Sequence, residues 1–85
     1  MSIKRKSSNN HIFDTHISEL IRDRRNQLAI TQTELAKQSS LTTTVISQFE
    51  SGTRYPSFSA LSNLANALRV TTEYLLERKQ EKSWT

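Results

Sequence analysis

The sequence predicts an all-α domain of five short helices, and three observations lead there. Apolar residues recur at helical spacing and nowhere alternate as in a half-buried strand. Threonine or serine stands ahead of most apolar clusters, where its oxygen can cap a helix. Glycine and proline occur once each, in one loop, so most turns must be made by helix ends.

The bounds agree with that class. Of 85 residues, 34% are hydrophobic, which suits one compact helical bundle with a modest core. There is no cysteine, so neither disulfides nor a thiolate zinc site can supplement the core. Apolar runs of two or three residues exclude a membrane span and a secretory leader, and a cytoplasmic protein is expected.

Charge is distributed unevenly. Of the net +4, Lys4, Arg5 and Lys6 contribute +3 ahead of the first acidic residue, and the rest of the chain carries +1. A basic segment on a near-neutral domain suggests an arm for nucleic acid, although many N-termini look similar without a role. Residues 1–12 are expected to be a flexible arm, 13–77 the domain and 78–85 a charged tail.

In chain order, the first helix should start near Asp14 or Thr15 and end near Leu28, burying Ile17, Leu20, Ile21 and Leu28. Arg22, Asp23, Arg24 and Arg25 read as a mixed-charge, mostly solvated run. Thr31 and Glu34 form a capping box for a helix over 32–39. After Ser39 and Ser40, Thr42 can cap a third helix over 43–51 with Val45, Ile46 and Phe49 inward, and Gly52 ends it. Two short helices joined by a tight turn, with the small Ala36 at their crossing, make a helix-turn-helix. Ser57 caps a fourth helix burying Phe58, Leu61, Leu64, Ala65 and Leu68. Thr71 or Thr72 opens a short last helix through Tyr74, Leu75 and Leu76.

The other face of the third helix is unusual. Thr43, Thr44, Ser47 and Gln48 are all uncharged, where an ordinary exposed face would carry the better helix formers Lys and Glu. Short hydrogen-bonding groups on one stripe suit base edges; an exposed polar helix of no special purpose is the alternative.

From Ile17 to Leu76 the chain resembles the lambda-repressor-like, Xre/Cro-type DNA-binding family. The matching runs are IRDRRNQLAITQTELA, LTTTVISQFESGTRYPS and LSNLANALRVTTEYLL. The resemblance implies a homodimeric transcription regulator of double-stranded DNA, a stand-alone repressor in size, whose third helix enters the major groove. Thr43, Thr44, Ser47 and Gln48 would then read bases. Gln48 could bond bidentately to adenine and a threonine methyl could meet thymine, which leans the half-site towards A·T. Gln32, Thr42, Arg54, Tyr55 and Ser57 would hold phosphates, with Gln32 at a helix N-terminus. The alternative for Arg54 is a pair with Glu50, four residues earlier. On this reading the stripe sets which sequence is bound, while Gln32 and Arg54 set how tightly any sequence is held.

The resemblance further implies a sheltered Arg25–Glu50 ion pair. It also departs in one respect. Relatives place glycine at three turn positions that here hold Ala29, Ser40 and Arg69, each costing on the order of 1 kcal/mol if left-handed.

The homodimer is expected through the last helix, around Tyr74, Leu75 and Leu76. Small relatives also act as antitoxins, and Trp84 is a candidate anchor for such a protein partner, unless it folds back on the domain. No enzyme is expected. His11, His16 and Asp14 lack convergent metal-ligand spacing, and no nucleophile elbow or phosphate-binding glycine loop is present. Neither cofactor, metal nor small-molecule ligand is therefore expected.

Overall fold

The computed structural model describes residues 16–77. Its described helices are α1 (Ile17–Gln27), α2 (Gln32–Ser39), α3 (Thr43–Ser51), α4 (Phe58–Leu68) and α5 (Thr72–Leu75). No strand occurs among the described residues.

Local chemistry accounts for each start. The Thr31 hydroxyl accepts from Glu34 N at 3.0 Å and the Glu34 carboxylate accepts from Thr31 N at 2.8 Å, a complete capping box on α2. Thr42, Ser57 and Thr71 cap α3, α4 and α5 in the same sense, accepting from Val45, Ala60 and Tyr74 N–H groups. The first helix differs. It begins at Ile17 with His16 at its N-cap and no side-chain cap bond. The expected caps Asp14 and Thr15 lie outside the described residues, as do Lys4, Arg5, Lys6 and Trp84.

The ends of α1 to α4 share one geometry. At each, a left-handed residue closes the last turn, directly after α2, α3 and α4 and one residue further on after α1, where Leu28 intervenes; the next N–H reaches back five residues: Ile30 to Arg25 O, Leu41 to Ala36 O, Thr53 to Gln48 O and Val70 to Ala65 O. Gly52 supplies the left-handed residue after α3 at φ 82, whereas Ala29, Ser40 and Arg69 adopt it at φ 58, 60 and 61. Those three carry a Cβ where glycine would be unstrained. What holds them is the residue that follows: Ile30, Leu41 and Val70 each pack against the core.

The core runs through all five helices. Ile17, Ile21, Leu35, Ala36, Ile46, Phe49, Leu61, Leu64, Leu68 and Leu75 are among its buried residues. Helix α2 packs on α3 and α4, while α1 packs on α3, α4 and α5. Ala36 sits buried, where a larger side chain would spread α2 from its neighbours.

Two expectations are corrected. Phe58 was placed in the buried stripe but is 76% exposed. As the first residue of α4 its Cα–Cβ bond tilts towards the N-terminus, beyond the rim of the core, and Ala60 is buried instead. Arg24 is not solvated: it is half-buried, and its Nε donates to Leu68 O at 2.9 Å, a cation closing the C-terminal end of α4.

The left-handed residues give a direct test. A Cβ in this conformation costs about 1–2 kcal/mol, and glycine loses about 0.4–1 kcal/mol through the unfolded chain. Ala29→Gly, Ser40→Gly and Arg69→Gly should each raise stability by roughly 0.5–1 kcal/mol in denaturant melts. Destabilisation by about 0.4–1 kcal/mol, the full entropic loss of glycine, would show that the turns carry no strain.

Candidate nucleic-acid interface

At about 100° per residue, α3 divides into two arcs. Val45, Ile46, Phe49 and Glu50 occupy one, with Ile46 fully buried and Phe49 and Glu50 nearly so. Thr43, Thr44 and Ser47 lie exposed on the other and Gln48 is half-buried. None of the four is charged, and none is committed to the core. The Thr43 hydroxyl reaches Thr33 on α2 at 3.4 Å, a marginal contact that brings a residue not foreseen from sequence beside the stripe. Thr33 gave no signal because only the packing of α2 against α3 makes it a neighbour.

One carboxylate fixes the orientation of α3. Glu50 Oε2 accepts from Arg25 Nε at 2.7 Å and Glu50 Oε1 from Arg25 Nη2 at 3.1 Å, a two-pronged pair linking α3 to α1. The side chains are 14% and 5% exposed for Arg25 and Glu50. Arg25 Nη1 also donates to Ile30 O at 2.8 Å, tying the α1–α2 turn to the same guanidinium. The hydrogen bond Arg25 donates to Glu50 raises the Arg25 pKa against the opposing effect of burial, with the carboxylate's charge adding to the rise. A raised arginine contributes fully below its ordinary range and is lost only as pH climbs beyond its folded value, so the cation persists through neutral pH.

Gln32, the first residue of α2, donates from Nε2 to Glu50 Oε1 at 3.0 Å. An amide nitrogen carries two N–H groups, so this contact aims the side chain and commits only one of them. Thr42 and Ser57 accept cap bonds from backbone N–H groups, and each hydroxyl keeps its own proton to donate. Tyr55 is half-buried and packs against the core.

The alternative pairing of Arg54 with Glu50 does not occur. Arg54 Nη1 instead donates to Gln48 Oε1 at 3.3 Å. Glu50 faces inward on the buried arc while Arg54 lies exposed beside the polar one. The sequence spacing alone did not separate these partners.

The last helix offers less surface than expected. Leu75 is fully buried in the domain's own core, so it has no face to offer a second copy. Tyr74 and Leu76 are 38% and 39% exposed. Alternate residues of this short helix point in different directions, and Leu75 fills the inward one.

Residues 21–75 match the Helix-turn-helix family. The P22 c2 repressor protein, in a crystal structure with a synthetic operator, is 37% identical with a TM-score of 0.69, covering 71% of this chain and 91% of that one. The restriction-modification controller protein C.AhdI from Aeromonas hydrophila is 27% identical with a TM-score of 0.67, covering 69% of this chain and 89% of its own. Two uncharacterized HTH-type transcriptional regulators of Mycobacterium tuberculosis are each 40% identical over 58 residues, 68% of this chain. The match spans 41% of the length of those curated relatives.

Removing either side of the Arg25–Glu50 pair strands the other charge in a sheltered place. Arg25→Ala and Glu50→Ala should each lower stability by about 3–5 kcal/mol in denaturant melts. A loss of about 1 kcal/mol or less, as for a surface pair, would contradict that burial.

Proposed function

The chain belongs to the helix-turn-helix family, and from that premise we propose that it is a sequence-specific, double-stranded-DNA-binding transcription regulator, a homodimeric repressor of a two-fold symmetric operator. The observation that carries the proposal is the uncharged polar arc of α3, opposite a buried arc whose orientation Arg25 and Glu50 fix. The likeness to the P22 c2 repressor bound to a synthetic operator supports the same reading.

The parts divide by position. Thr43, Thr44, Ser47 and Gln48 meet base edges in the major groove. Gln32 offers its second amide N–H to a phosphate beside the N-terminus of α2, where the helix dipole favours an anion. Thr42 and Ser57 donate hydroxyl protons to DNA phosphates, and Arg54 and Tyr55 hold phosphates on the far side. A repressor acts by occupying promoter DNA, which places it in the cytoplasm. Tyr74 and Leu76, without Leu75, supply the apolar part of the dimer seam, and a two-fold axis there sets the recognition helices about 34 Å apart.

Selection of bound sequences from a random duplex pool tests the whole reading. A two-fold symmetric motif is expected, and an unsymmetrical or absent motif would remove the dimeric operator. Within that motif, Gln48→Ala should cost roughly 1–3 kcal/mol on the selected site and almost nothing on random DNA. Equal losses on both would mean that α3 does not read bases.

The basic arm contributes to affinity more than to choice of sequence. Lys4, Arg5 and Lys6 neutralise phosphates, so deleting residues 2–8 should reduce the salt dependence of binding by up to ~3 contacts per subunit. An unchanged slope at intact affinity would leave the arm without a role in binding.

A further inference from the structure

We propose that Arg54 is a positioning residue for the Gln48 amide, so that it helps to set sequence preference as well as backbone affinity. The inference rests on the proposed base-reading role of α3. It departs from the simpler division in which Arg54 only grips phosphate.

The chain beyond α3 folds back onto Gln48. Gly52 turns the backbone at φ 82, and the Gln48 carbonyl then accepts from Thr53 N at 3.0 Å and Arg54 N at 3.3 Å. The Thr53 and Ser51 hydroxyls lie 3.3 and 3.2 Å from the same carbonyl oxygen and 2.9 Å from one another, so one can donate to the carbonyl while the other donates to its neighbour. Arg54 is therefore anchored to the residue whose side chain it touches. Nη1 of Arg54 donates to Gln48 Oε1 at 3.3 Å.

That contact has a direction. A guanidinium donates and never accepts, so the amide must turn its oxygen towards Arg54. Its NH2 group is left for other partners. A glutamine without such a neighbour can present either edge of its amide, and the two edges read opposite patterns. Held this way, Gln48 offers donors, which suit the acceptors guanine N7 and O6, adenine N7 or thymine O4. Cytosine N4, itself a donor, does not suit them. A bidentate adenine contact would need the same oxygen to take a second donor while Arg54 keeps the first. The oxygen's second lone pair allows that contact, so the orientation adds guanine to the bases Gln48 can read and weakens the A·T lean inferred from residue type alone.

Arg54 has further N–H groups for a phosphate, so the two roles are compatible. Charge and position come from one side chain. The phosphate contact strengthens binding to any duplex, while the bond to Gln48 acts only where the base matters.

The test is a double-substitution cycle on the full chain. Affinities of wild type, Arg54→Ala, Gln48→Ala and the double variant are measured on the selected duplex and on random duplex, after thermal melts establish that each is folded. Arg54→Ala should weaken binding to both duplexes and also shrink the specific-to-random ratio by about threefold or more, the size of a contact between coupled neighbours. In the Gln48→Ala background the same substitution should leave the ratio unchanged. If Arg54→Ala preserves the ratio, or shrinks it equally without Gln48, the positioning role is overturned while base reading by Gln48 can stand. A wild type with no preference for any duplex, or a Gln48→Ala variant that keeps the full ratio, would overturn base reading and the positioning role with it.

Discussion

The Glu50 carboxylate is the point on which the domain depends. Arg25 grips it from α1, Gln32 from the start of α2, and Glu50 itself belongs to the end of α3. The same guanidinium holds Ile30 O in the turn between the first two helices. Three helices and a turn are thus referred to one pair of charges. A hydrophobic core alone tolerates small rotations of a nine-residue helix, because apolar contacts are not directional. A two-pronged guanidinium–carboxylate pair is directional, and it fixes which arc of α3 turns outward.

Around that centre the fold is built from repeated helix ends. Four successive helices close with a left-handed residue and a back-reaching N–H, and only one of those residues is glycine. At the ends of α1, α2 and α4 an apolar residue follows and packs against the core. The end of α3 is different. There the following residue is Thr53, exposed, and its hydroxyl joins the bonds on the Gln48 carbonyl. Glycine is placed where no apolar contact is available to offset a strained backbone. The absence of that apolar contact leaves the loop over Gln48 polar and at the surface, beside the candidate base-reading arc.

Electrostatics follow the same division. The arc of α3 that faces out is polar without charge, while the cations Arg25 and Arg24 are turned inward onto a carboxylate and a helix C-terminus. Both belong to the internal framework, Arg24 although its run reads as solvated surface in the sequence. Arg54 is the cation left beside the outward arc, and it sits on a glutamine amide. An uncharged arc flanked by a cation suits a surface that discriminates by hydrogen bonding and adheres by charge at its margin.

Most of the helices were legible in the sequence because their signals are local. Thr31 with Glu34, Thr42, Ser57 and Thr71 act within one turn of their own helices, so capping fixes the starts of α2 to α5 whatever the tertiary fold. The apolar spacing of Val45, Ile46 and Phe49 likewise determines which arc of α3 is free. The left-handed turns at Ala29, Ser40 and Arg69 were legible only as a conditional, since whether the strain is tolerated depends on where Ile30, Leu41 and Val70 find a core. Tertiary structure alone decided the rest. Phe58 fits the apolar period of α4 but stands beyond the rim of the packed layer, and Leu75 is spent inside the domain's own core although a short terminal helix suggested a seam. Arg24 meets Leu68 and Arg54 chooses Gln48 over Glu50 because packing, not spacing, sets those distances. Sequence period specifies the direction in which a side chain leaves its own helix; what it meets there is fixed by how the helices pack.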